Sequence, residues 1–501
     1  MAERYDVIIV GGGSAGCAAA ARLSQDPRRK VLLLEAGPDP RPIPELVSEA
    51  KNQFRLLLES PYVMMYPTER KIDGSHFYSL AGRVMGGGSS VNVMSILRPP
   101  RADFDDWVRL GNPEWSYENL LPVMKRIESD QDYPDTPLHG HDGPLYIKRP
   151  FTFDSPMSAP VRAFIDRSLS LGLPRCPDIN IPDPIGVCIA PYNIKDGKRQ
   201  STTVAYLDLA RGRANLNIVP EAQVTSLELS GLRAEGVRYE RDGRLFTALG
   251  DQIVLCAGVY HSPQILMLSG IGPKAELEKR GINVVHDLPG VGENYQDHAV
   301  VYMTFEGTKH SREEWVVPRF RLVLKSNPAL DAGNFHIVMR PPTEVAGIKR
   351  MMPVSAHLLE QRLRGRIFLK SADPRELPGI ESRMLEDPED IKAMVWAMEF
   401  IARLVEGIEE FYGPPIQPGP AEDWAKFARS TYDSYHHGVG TCMMGPASNE
   451  MAVVDEKLRV HGMNNLWVGD ASTMPIVTRA NTNLASILIG ERLSDFIKQA
   501  T

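Results

Sequence analysis

The stretch DVIIVGGGSAG, Asp6 to Gly16, decides the fold of this chain. Asp6 to Val10 is a short apolar run of the kind that a strand buried on both faces requires. Three consecutive glycines follow, and the alanine-rich segment CAAAARLS after Gly16 predicts a helix. A second apolar strand, Val31 to Glu35, ends in an acidic residue. The order strand, glycine turn, helix, strand and acid predicts a unit that binds a dinucleotide.

Each position of this unit has a physical reason. Gly11 permits a tight turn, Gly13 lets the backbone approach a pyrophosphate, and Gly16 lets the helix pack closely on the sheet. The unpaired N–H groups at the helix N-terminus favour the negative charge of phosphates. Glu35, about 20 residues onward, can accept hydrogen bonds from ribose hydroxyls. A glycine turn alone could be purely structural, but the strand, helix and acid around it favour dinucleotide binding.

Further segments with the pattern of strands are spread along the chain. Four of them resemble returns to the same parallel sheet: 215–219, 223–229, 252–258 and 465–470. Residues 335–340 and 365–371 predict a second sheet, and 387–407 predicts an amphipathic helix beside it. Chains longer than about 250 to 300 residues usually divide into domains. The 501 residues therefore predict two domains, which can interleave along the sequence.

Composition excludes several classes of protein. A net charge of −7 over 501 residues, without runs of Lys or Arg, does not indicate a nucleic-acid surface. The five cysteines are scattered and include no C-x-x-C pair, so neither a disulfide framework nor a structural zinc site is expected. No apolar stretch has the length of a transmembrane helix, and the N-terminus has no signal-peptide pattern. These features predict a cytoplasmic protein with a small-molecule partner.

Two more stretches combine glycine with polar residues. GRVMGGGSSVNVM, Gly82 to Met94, cannot be a comfortable helix or strand interior, so it predicts a loop that lies against a flat or charged group. YHHGVGTCMMG, Tyr435 to Gly445, carries two adjacent histidines and a cysteine. From its residues alone, this second stretch could hold a catalytic base, a metal or thiol site, or an ordinary loop.

The chain resembles the GMC (glucose-methanol-choline) oxidoreductase family, and seven motifs match in chain order. VGGGSAG…LLLEAG is similar to the family's FAD pyrophosphate site, and Gly82 to Met94 and Gly258 to Pro273 are similar to its two signatures. Counterparts also exist for four later stretches: Pro289 to His298, Arg366 to Pro374, Tyr435 to Gly445 and Asn465 to Ile497. The resemblance covers nearly the whole chain.

This resemblance implies an α/β fold with the architecture shared by p-hydroxybenzoate hydroxylase. In it, a Rossmann-like FAD-binding domain interleaves with an α+β substrate-binding domain built on an antiparallel sheet. The expected FAD-binding domain comprises residues 1–155, 191–300 and 440–501. The expected substrate-binding domain comprises residues 156–190 and 301–439.

The resemblance also implies how the cofactor is held. Val224 would meet the adenine through its backbone, and Asp470 and Ala471 would meet the ribityl and pyrophosphate region. Members that bind FAD covalently use a histidine where this chain has Val91, so non-covalent FAD is expected. The expected cofactor residues are Gly11, Gly13, Ser14, Ala15, Gly16, Glu35, Ala36, Arg83, Gly87, Ser90, Asn92, Val93, Val224, Asp470, Ala471, Asn481 and Thr482.

The same resemblance assigns the chemistry to His437 and Asn481. His437 matches the family's catalytic histidine, and a histidine can accept a proton at neutral pH because its ordinary pKa is near ~6.5. Asn481 matches the partner that holds the substrate oxygen, although Asn is also a good helix N-cap. The expected reaction oxidises an alcohol to an aldehyde or ketone, with the proton taken by His437 and the hydride by flavin N5.

Several alternatives stay open at this point. The substrate could be an aryl or furanic primary alcohol, a carbohydrate or a choline-like alcohol, and dioxygen or another acceptor would reoxidise the flavin. Hydroxynitrile lyases and photodecarboxylases share the fold. His436 is expected to pack or to form a cavity wall, and Cys442 to be buried packing. No metal is expected, because His139 and His141 match a surface loop of the family.

Overall fold

The glycine turn and its flanking strands lie in a seven-stranded sheet, one of two large sheets in the structure. The computed structural model describes residues 4–69, 76–134, 136–312, 320–344 and 350–500. The strands of these ranges are β1 (Arg4–Val10), β2 (Val31–Leu34), β3 (Val63–Pro67), β4 (Tyr78–Gly82), β5 (Glu128–Asp130), β6 (Leu145–Ile147), β7 (Arg175–Cys176), β8 (Gly186–Ile189), β9 (Ile194–Lys195), β10 (Lys198–Arg199), β11 (Leu216–Val219), β12 (Gln223–Ser230), β13 (Arg233–Arg241), β14 (Arg244–Leu255), β15 (Ile271–Gly272), β16 (His286–Asp287), β17 (Ala299–Gly307), β18 (Phe320–Leu324), β19 (Phe335–Met339), β20 (Met351–Leu358), β21 (Arg366–Phe368), β22 (Gly379–Glu381), β23 (Tyr412–Gln417), β24 (Asp433–Ser434) and β25 (Leu466–Val468). The α-helices are α1 (Ser14–Leu23), α2 (Glu45–Ser48), α3 (Gln53–Glu59), α4 (Gly88–Val91), α5 (Arg101–Arg109), α6 (Tyr117–Ile127), α7 (Ala159–Ser170), α8 (Gly258–Leu268), α9 (Lys274–Lys279), α10 (Pro388–Val405), α11 (Trp424–Thr431) and α12 (Thr482–Ala500).

The first sheet has seven strands in the order β11-β2-β1-β14-β13-β12, with β25 also beside β14. Strand β1 pairs in parallel with β2 and β14, and its residues Val7 to Val10 are almost fully buried. This is why DVIIV is apolar without alternation. Helix α12 crosses α1 so closely that a Cβ on Gly490 would lie 2.3 Å from the Ala15 carbonyl oxygen. Small residues thus bring the two helices together beside the glycine turn.

The prediction that residues 223–229 return to the parallel sheet is wrong. Strand β12 pairs in antiparallel register with β13 (Leu227↔Val237), and β13 pairs in the same way with the first half of β14. The other three predicted returns are parallel strands: β11 beside β2, β14 beside β1, and β25 beside β14. In β12 only Val224 and Leu227 are buried and the other residues are more exposed, as in an antiparallel strand with one solvated face, whereas β1 and β2 are buried on both faces.

The second sheet has eight strands in the order β23-β17-β20-β19-β18-β8-β7, with β24 also beside β17. Its pairing is antiparallel except between β7 and β8. Side chains alternate between two faces, and the apolar face, which includes Leu322, Ile337 and Ala356, packs in one core with helix α10. From the strand register, the opposite side, here called the polar sheet face, carries Tyr302, Arg321, His336, Arg340, Ser355 and His357.

The prediction that residues 365–371 belong to this second sheet is also wrong. Strand β21 pairs with β22 (Ile367↔Ile380) in a separate two-stranded sheet, and Gly365 bridges to Tyr295. Residues 335–340 and 387–407 behave as expected, since they contain β19 of the large antiparallel sheet and helix α10.

The predicted fold class is confirmed: a Rossmann-like parallel core interleaves with a domain built on an antiparallel sheet. We propose that the two sheets mark the two domains, with the boundaries expected from the sequence. Strand β17 begins at Ala299, next to the expected boundary at residue 300. Among the helices of the described ranges, none combines the length and the apolar composition that crossing a bilayer requires.

Candidate active site

One cavity of about 810 Å³ is lined by residues of both sheets. Val10 and the glycine turn contribute to it from the parallel sheet, and Tyr302 and Arg340 contribute from the polar sheet face. Segment 433–438 and the start of helix α12 line it as well. The two sheets therefore share one site.

The glycine turn shapes the first wall of this cavity. Gly11 has a φ of +105°, and a Cβ there would lie 2.3 Å from the Cys256 carbonyl oxygen. Gly16 does not line the cavity; a Cβ on it would lie 1.9 Å from the Gly11 carbonyl oxygen, so it serves the close packing of α1 on the turn. Gly13 lines the cavity, and a Cβ there would meet no protein atom within 4 Å. Bare backbone at the start of α1 is thus open to a ligand.

Glu35 follows β2 and lines the same wall while remaining largely buried. Its Oε2 accepts a hydrogen bond from the Gly12 N–H and its Oε1 accepts one from the Gly37 N–H, each at 2.7 Å. Burial raises the pKa of this carboxyl to about 7, and the two backbone N–H groups oppose the rise. The carboxyl is fixed in place and keeps free lone pairs for ribose hydroxyls.

The glycine-rich loop 82–94 forms the second wall and touches the first. A Cβ on Gly87 would lie 2.8 Å from the Gly13 Cα atom. Ser90 does not line the cavity, since its hydroxyl donates to the Met85 carbonyl oxygen at 2.8 Å and holds the loop. Val91, where a covalent attachment would need a histidine, lines the cavity.

Most of the predicted cofactor residues meet in this cavity although they come from distant parts of the chain. Gly16 and Ser90 are the exceptions among them, for the packing reasons given above. Those that line the cavity are Gly11, Gly13, Ser14, Ala15, Glu35, Ala36, Arg83, Gly87, Asn92, Val93, Val224, Asp470, Ala471, Asn481 and Thr482.

The residues present fit FAD. Asn481 Oδ1 and Asn483 Nδ2 are buried at the cavity and have no hydrogen-bond partner in the described part of the chain. Gly13 and Gly258 present backbone to which an added Cβ would find no neighbour. N–H groups at the start of α1 suit a pyrophosphate, and the carboxyl of Glu35 suits a ribose. Unmatched polar atoms beside bare backbone are what a dinucleotide would complete.

His437 lies between Asn481 and His298. Its Nε2 is 3.1 Å from Asn481 Nδ2, and its Nδ1 is 2.9 Å from His298 Nδ1. Asp297 accepts the backbone N–H of His437 at 2.9 Å and that of His298 at 2.7 Å, which fixes both segments. Asn481 Oδ1 accepts no hydrogen bond from a described residue, so this side chain does not cap α12. The two predicted catalytic side chains are in contact.

The histidine pair is neutral at physiological pH. Burial, with the nearby His298, His436 and Arg321, lowers the pKa of His437 well below its usual value. Burial also lowers the pKa of His298 to about 3. With the Asn481 amide donating to Nε2, His437 carries its proton on Nδ1 and donates it to His298. The lone pair of His437 Nε2 therefore faces Asn481 and the cavity.

Sequence reasoning did not single out His298 or Arg199. His298 ends the family-like motif Pro289 to His298, so the motif contained the signal. Arg199 is buried and donates to Asn92 Oδ1 at 2.8 Å, which holds the glycine-rich loop from behind. No local pattern indicates this contact, because it joins residues 107 positions apart.

The other two residues singled out in the Tyr435–Gly445 stretch, His436 and Cys442, form a cavity wall and part of the buried core. His436 lines the cavity, as expected for a wall residue, and its Nδ1 accepts the Leu80 N–H at 3.3 Å. Cys442 is fully buried, and burial raises the pKa of its thiol well above the usual value. Neither residue contacts Asn481 in the way His437 does.

The prediction that His139 lies in a surface loop is wrong. Its side chain is 3% exposed and contacts Glu128 at 3.1 Å, Asp130 at 3.2 Å and Asp178 at 2.9 Å. His141, by contrast, is 56% exposed. The acidic partners of His139 lie up to 39 positions from it in the sequence, so the cluster is a product of the fold.

A dinucleotide-type glycine turn and a His–Asn pair on one cavity define a flavin-dependent oxidoreductase. The sequence model of the GMC oxidoreductases matches residues 5–300 with its N-terminal part and residues 361–490 with its C-terminal part. The chain belongs to the GMC oxidoreductase family. It is a flavoprotein that uses FAD to oxidise an alcohol at its CH–OH group, as the sequence predicts.

Relatives match over almost the full chain. An oxygen-dependent choline dehydrogenase of Staphylococcus xylosus is 32% identical over 555 aligned positions, covering 99% of this chain and 95% of the relative. A choline oxidase of Arthrobacter globiformis is 33% identical, with the same coverage. The crystal structure of pyridoxine 4-oxidase from Mesorbium loti superposes with a TM-score of 0.90 at 30% identity, covering 99% of both chains.

Gly13→Ala is expected to weaken FAD binding without unfolding the protein. The added methyl meets no protein atom within 4 Å, so it enters the space left for the ligand. Overpacking of this kind costs about 1–3 kcal/mol, which corresponds to roughly a 5- to 150-fold rise in the FAD Kd. Titration of the apoprotein with FAD measures it. Gly212→Ala, also without a neighbour within 4 Å but outside the cavity, should bind FAD normally; equal affinities in all three proteins would contradict the prediction.

Proposed function

We propose that this enzyme oxidises a primary alcohol and that His437 is the base that accepts the hydroxyl proton. The observation that carries the proposal is the contact of His437 Nε2 with Asn481 Nδ2, 3.1 Å apart at the cavity wall. A neutral imidazole with its lone pair toward the cavity suits proton acceptance. The names of the relatives, which include choline and pyridoxine oxidases, support small alcohols as the substrate class.

Asn481 and His298 would orient this proton transfer. A substrate hydroxyl that replaces the Asn481 N–H as the donor to His437 Nε2 can accept that amide N–H on its own oxygen. His298 Nδ1 accepts the His437 Nδ1–H, which keeps the proton of the neutral imidazole away from Nε2. Positioning by fixed groups of this kind lowers the barrier by several kcal/mol.

The cofactor would be held without a covalent bond, because Val91 has no group that could form one. FAD, when bound, supplies the acceptor for the hydride of the alcohol carbon. The glycine turn, Glu35 and the loop 82–94 would hold it, while Asn481 stands at the start of α12, whose positive dipole end favours negative charge. Acid precipitation tests the attachment: yellow supernatant supports dissociable FAD, and yellow pellet contradicts it.

Dioxygen is the electron acceptor that the relatives favour, because the Staphylococcus xylosus protein is named as oxygen-dependent and the other two as oxidases. Lyase or photodecarboxylase chemistry is not favoured by these relatives.

The deciding experiment mixes the holoenzyme anaerobically with a panel of primary alcohols and follows the flavin absorbance. Bleaching followed by recovery in air supports an alcohol oxidase. Cleavage of a cyanohydrin, with no bleaching by any alcohol, would overturn the proposal.

Asn481→Ala is expected to slow anaerobic flavin reduction by about 10- to 100-fold. This is the usual effect of losing one hydrogen bond to an oxygen that gains negative charge, here the bond from the Asn481 amide to the substrate oxygen. FAD should remain bound. Asn481→Ser is the matched variant, since serine offers an oxygen that could cap the helix but has no amide N–H. Stopped-flow reduction of the three proteins distinguishes the roles. A normal rate in the serine variant, with a defect in the alanine variant, would show that helix capping is what matters.

A further inference from the structure

The polar sheet face carries a guanidinium group at the cavity without a described carboxylate partner. Arg340 follows β19 and lines the cavity. Its Nε donates to the Ser355 hydroxyl at 2.9 Å, and its Nη2 lies 3.4 Å from His357 Nε2. The guanidinium also lies 5.6 Å from the centre of the Tyr302 ring. All three neighbours are uncharged, so the positive charge of Arg340 is not balanced by any of them.

A second arginine lies on the same sheet face but does not line the cavity. Arg321 of β18 is 4% exposed, and its Nε has no hydrogen-bond partner in the described ranges. Asp433 also lines the cavity, but its Oδ1 accepts the Ser434 backbone N–H at 2.8 Å, and it forms no ion pair with either arginine. Buried charge without a counter-ion is costly. This wall is therefore suited to an anion supplied from outside the chain.

Arg340 and His437 line the same cavity, and the rings of His357 and Tyr435 lie between them. The His357 ring, which Arg340 contacts, is 4.1 Å from the Tyr435 ring, measured between ring centres. The Tyr435 ring is 4.4 Å from the His437 ring. A substrate whose hydroxyl contacts His437 can thus direct its far end toward Arg340.

We propose that the alcohol carries a carboxylate and that Arg340 binds this carboxylate. The inference rests on the proposed function, in which His437 receives the hydroxyl proton. A guanidinium matches a carboxylate with two parallel N–H donors. A cationic alcohol would instead meet the guanidinium of Arg340, a charge of the same sign. The proposed substrate is therefore an anionic alcohol, whereas the choline named for two of the relatives is a cationic one.

Three alcohols test the assignment: 4-(hydroxymethyl)benzoate, benzyl alcohol and 4-(hydroxymethyl)phenyltrimethylammonium. They share the benzyl alcohol group and carry a negative, no and a positive charge at the far end of the ring. Anaerobic stopped-flow reduction of the holoenzyme gives the ratio of reduction rate to Kd for each. We expect the carboxylate to be preferred over benzyl alcohol by about 10- to 100-fold, the value of a charge-assisted hydrogen bond to a ligand. Arg340→Gln should abolish the preference and Arg340→Lys should keep part of it. Arg55→Gln, which removes an exposed charge outside the cavity, should keep all of it.

Equilibrium binding gives a second readout. Benzoate, as a probe without a hydroxyl, should raise the Tm of the wild-type holoenzyme and leave that of Arg340→Gln unchanged. If the wild-type flavin is reduced faster by benzyl alcohol or by the ammonium compound than by the carboxylate, the inference is overturned and alcohol oxidation stands. Equal losses for all three alcohols in Arg340→Gln would overturn it too. If none of the three alcohols reduces the flavin while another primary alcohol of the panel does, the inference fails and the proposed function stands.

Discussion

His437→Ala is expected to slow flavin reduction by the alcohol about 10²- to 10⁴-fold, the usual contribution of a positioned general base. The removed imidazole is buried, neutral and in contact with Asn481, and no other described imidazole contacts that amide. FAD should remain bound, because the glycine turn and Glu35 are unchanged. Anaerobic stopped-flow measurement, with the flavin content of each protein determined beforehand, gives the ratio.

His436→Ala is the matched control, since it removes the adjacent imidazole from the same cavity wall. Its effect should be far smaller, because Nδ1 of His436 contacts only the Leu80 N–H among the described hydrogen bonds of its ring. The pH profile is an independent check. Protonation inactivates a base, and burial lowers the pKa of His437, so the acid limb of the wild-type rate should lie below pH ~6.5. An unchanged reduction rate in His437→Ala would remove it from the mechanism.

The dinucleotide half of the site could be predicted from sequence because its requirements are local. Gly11 has a positive φ, Gly16 has no room for a side chain, and Gly13 leaves backbone open to a ligand, and all of them lie in one turn. The wrong assignment of 223–229 has a local cause as well. Its mixture of polar and apolar residues favours an antiparallel strand with one solvated face, but its place between two parallel strands in the sequence suggested a parallel one.

The substrate half could be predicted only through the family resemblance. The alternation in FHIVMR places His336 and Arg340 on one face of β19, but it does not say that this face meets a cavity. His298 and His437 are 139 positions apart, and their contact depends on how β24 pairs with β17. Contacts of this range are set by tertiary packing, which single-sequence periodicity does not contain.

A second polar centre, away from the cavity, has an ionic character. The ligand-type atoms of Glu128, Asp130 and His139 lie within 4.8 Å of one another, a spacing that a metal could use. Burial alone would lower the pKa of His139. Hydrogen bonds to Asp130, Asp178 and Glu128 outweigh this effect and raise the pKa to about 10. A protonated histidine cannot ligate a metal. Arg98 pairs with Glu128, and Arg149 pairs with Asp130 and Asp178, so the three cations are matched by three buried carboxylates. Asp132, which is 26% exposed, adds a fourth carboxylate 3.3 Å from Arg149.

Arg149→Met is therefore expected to lower the free energy of unfolding by about 3–5 kcal/mol, the cost of breaking a buried ion pair from one side. Arg149 is 6% exposed and donates to Asp130 at 2.9 Å and to Asp178 at 2.6 Å. Methionine keeps the packing of the side chain but leaves both carboxylates without this cation. Urea denaturation of the holoenzyme measures the loss. Arg238→Met, which breaks an exposed pair with Glu228, should cost less than about 1 kcal/mol. Equal stabilities of the two variants would show that the buried acids take up protons and that the cluster does not depend on its charges.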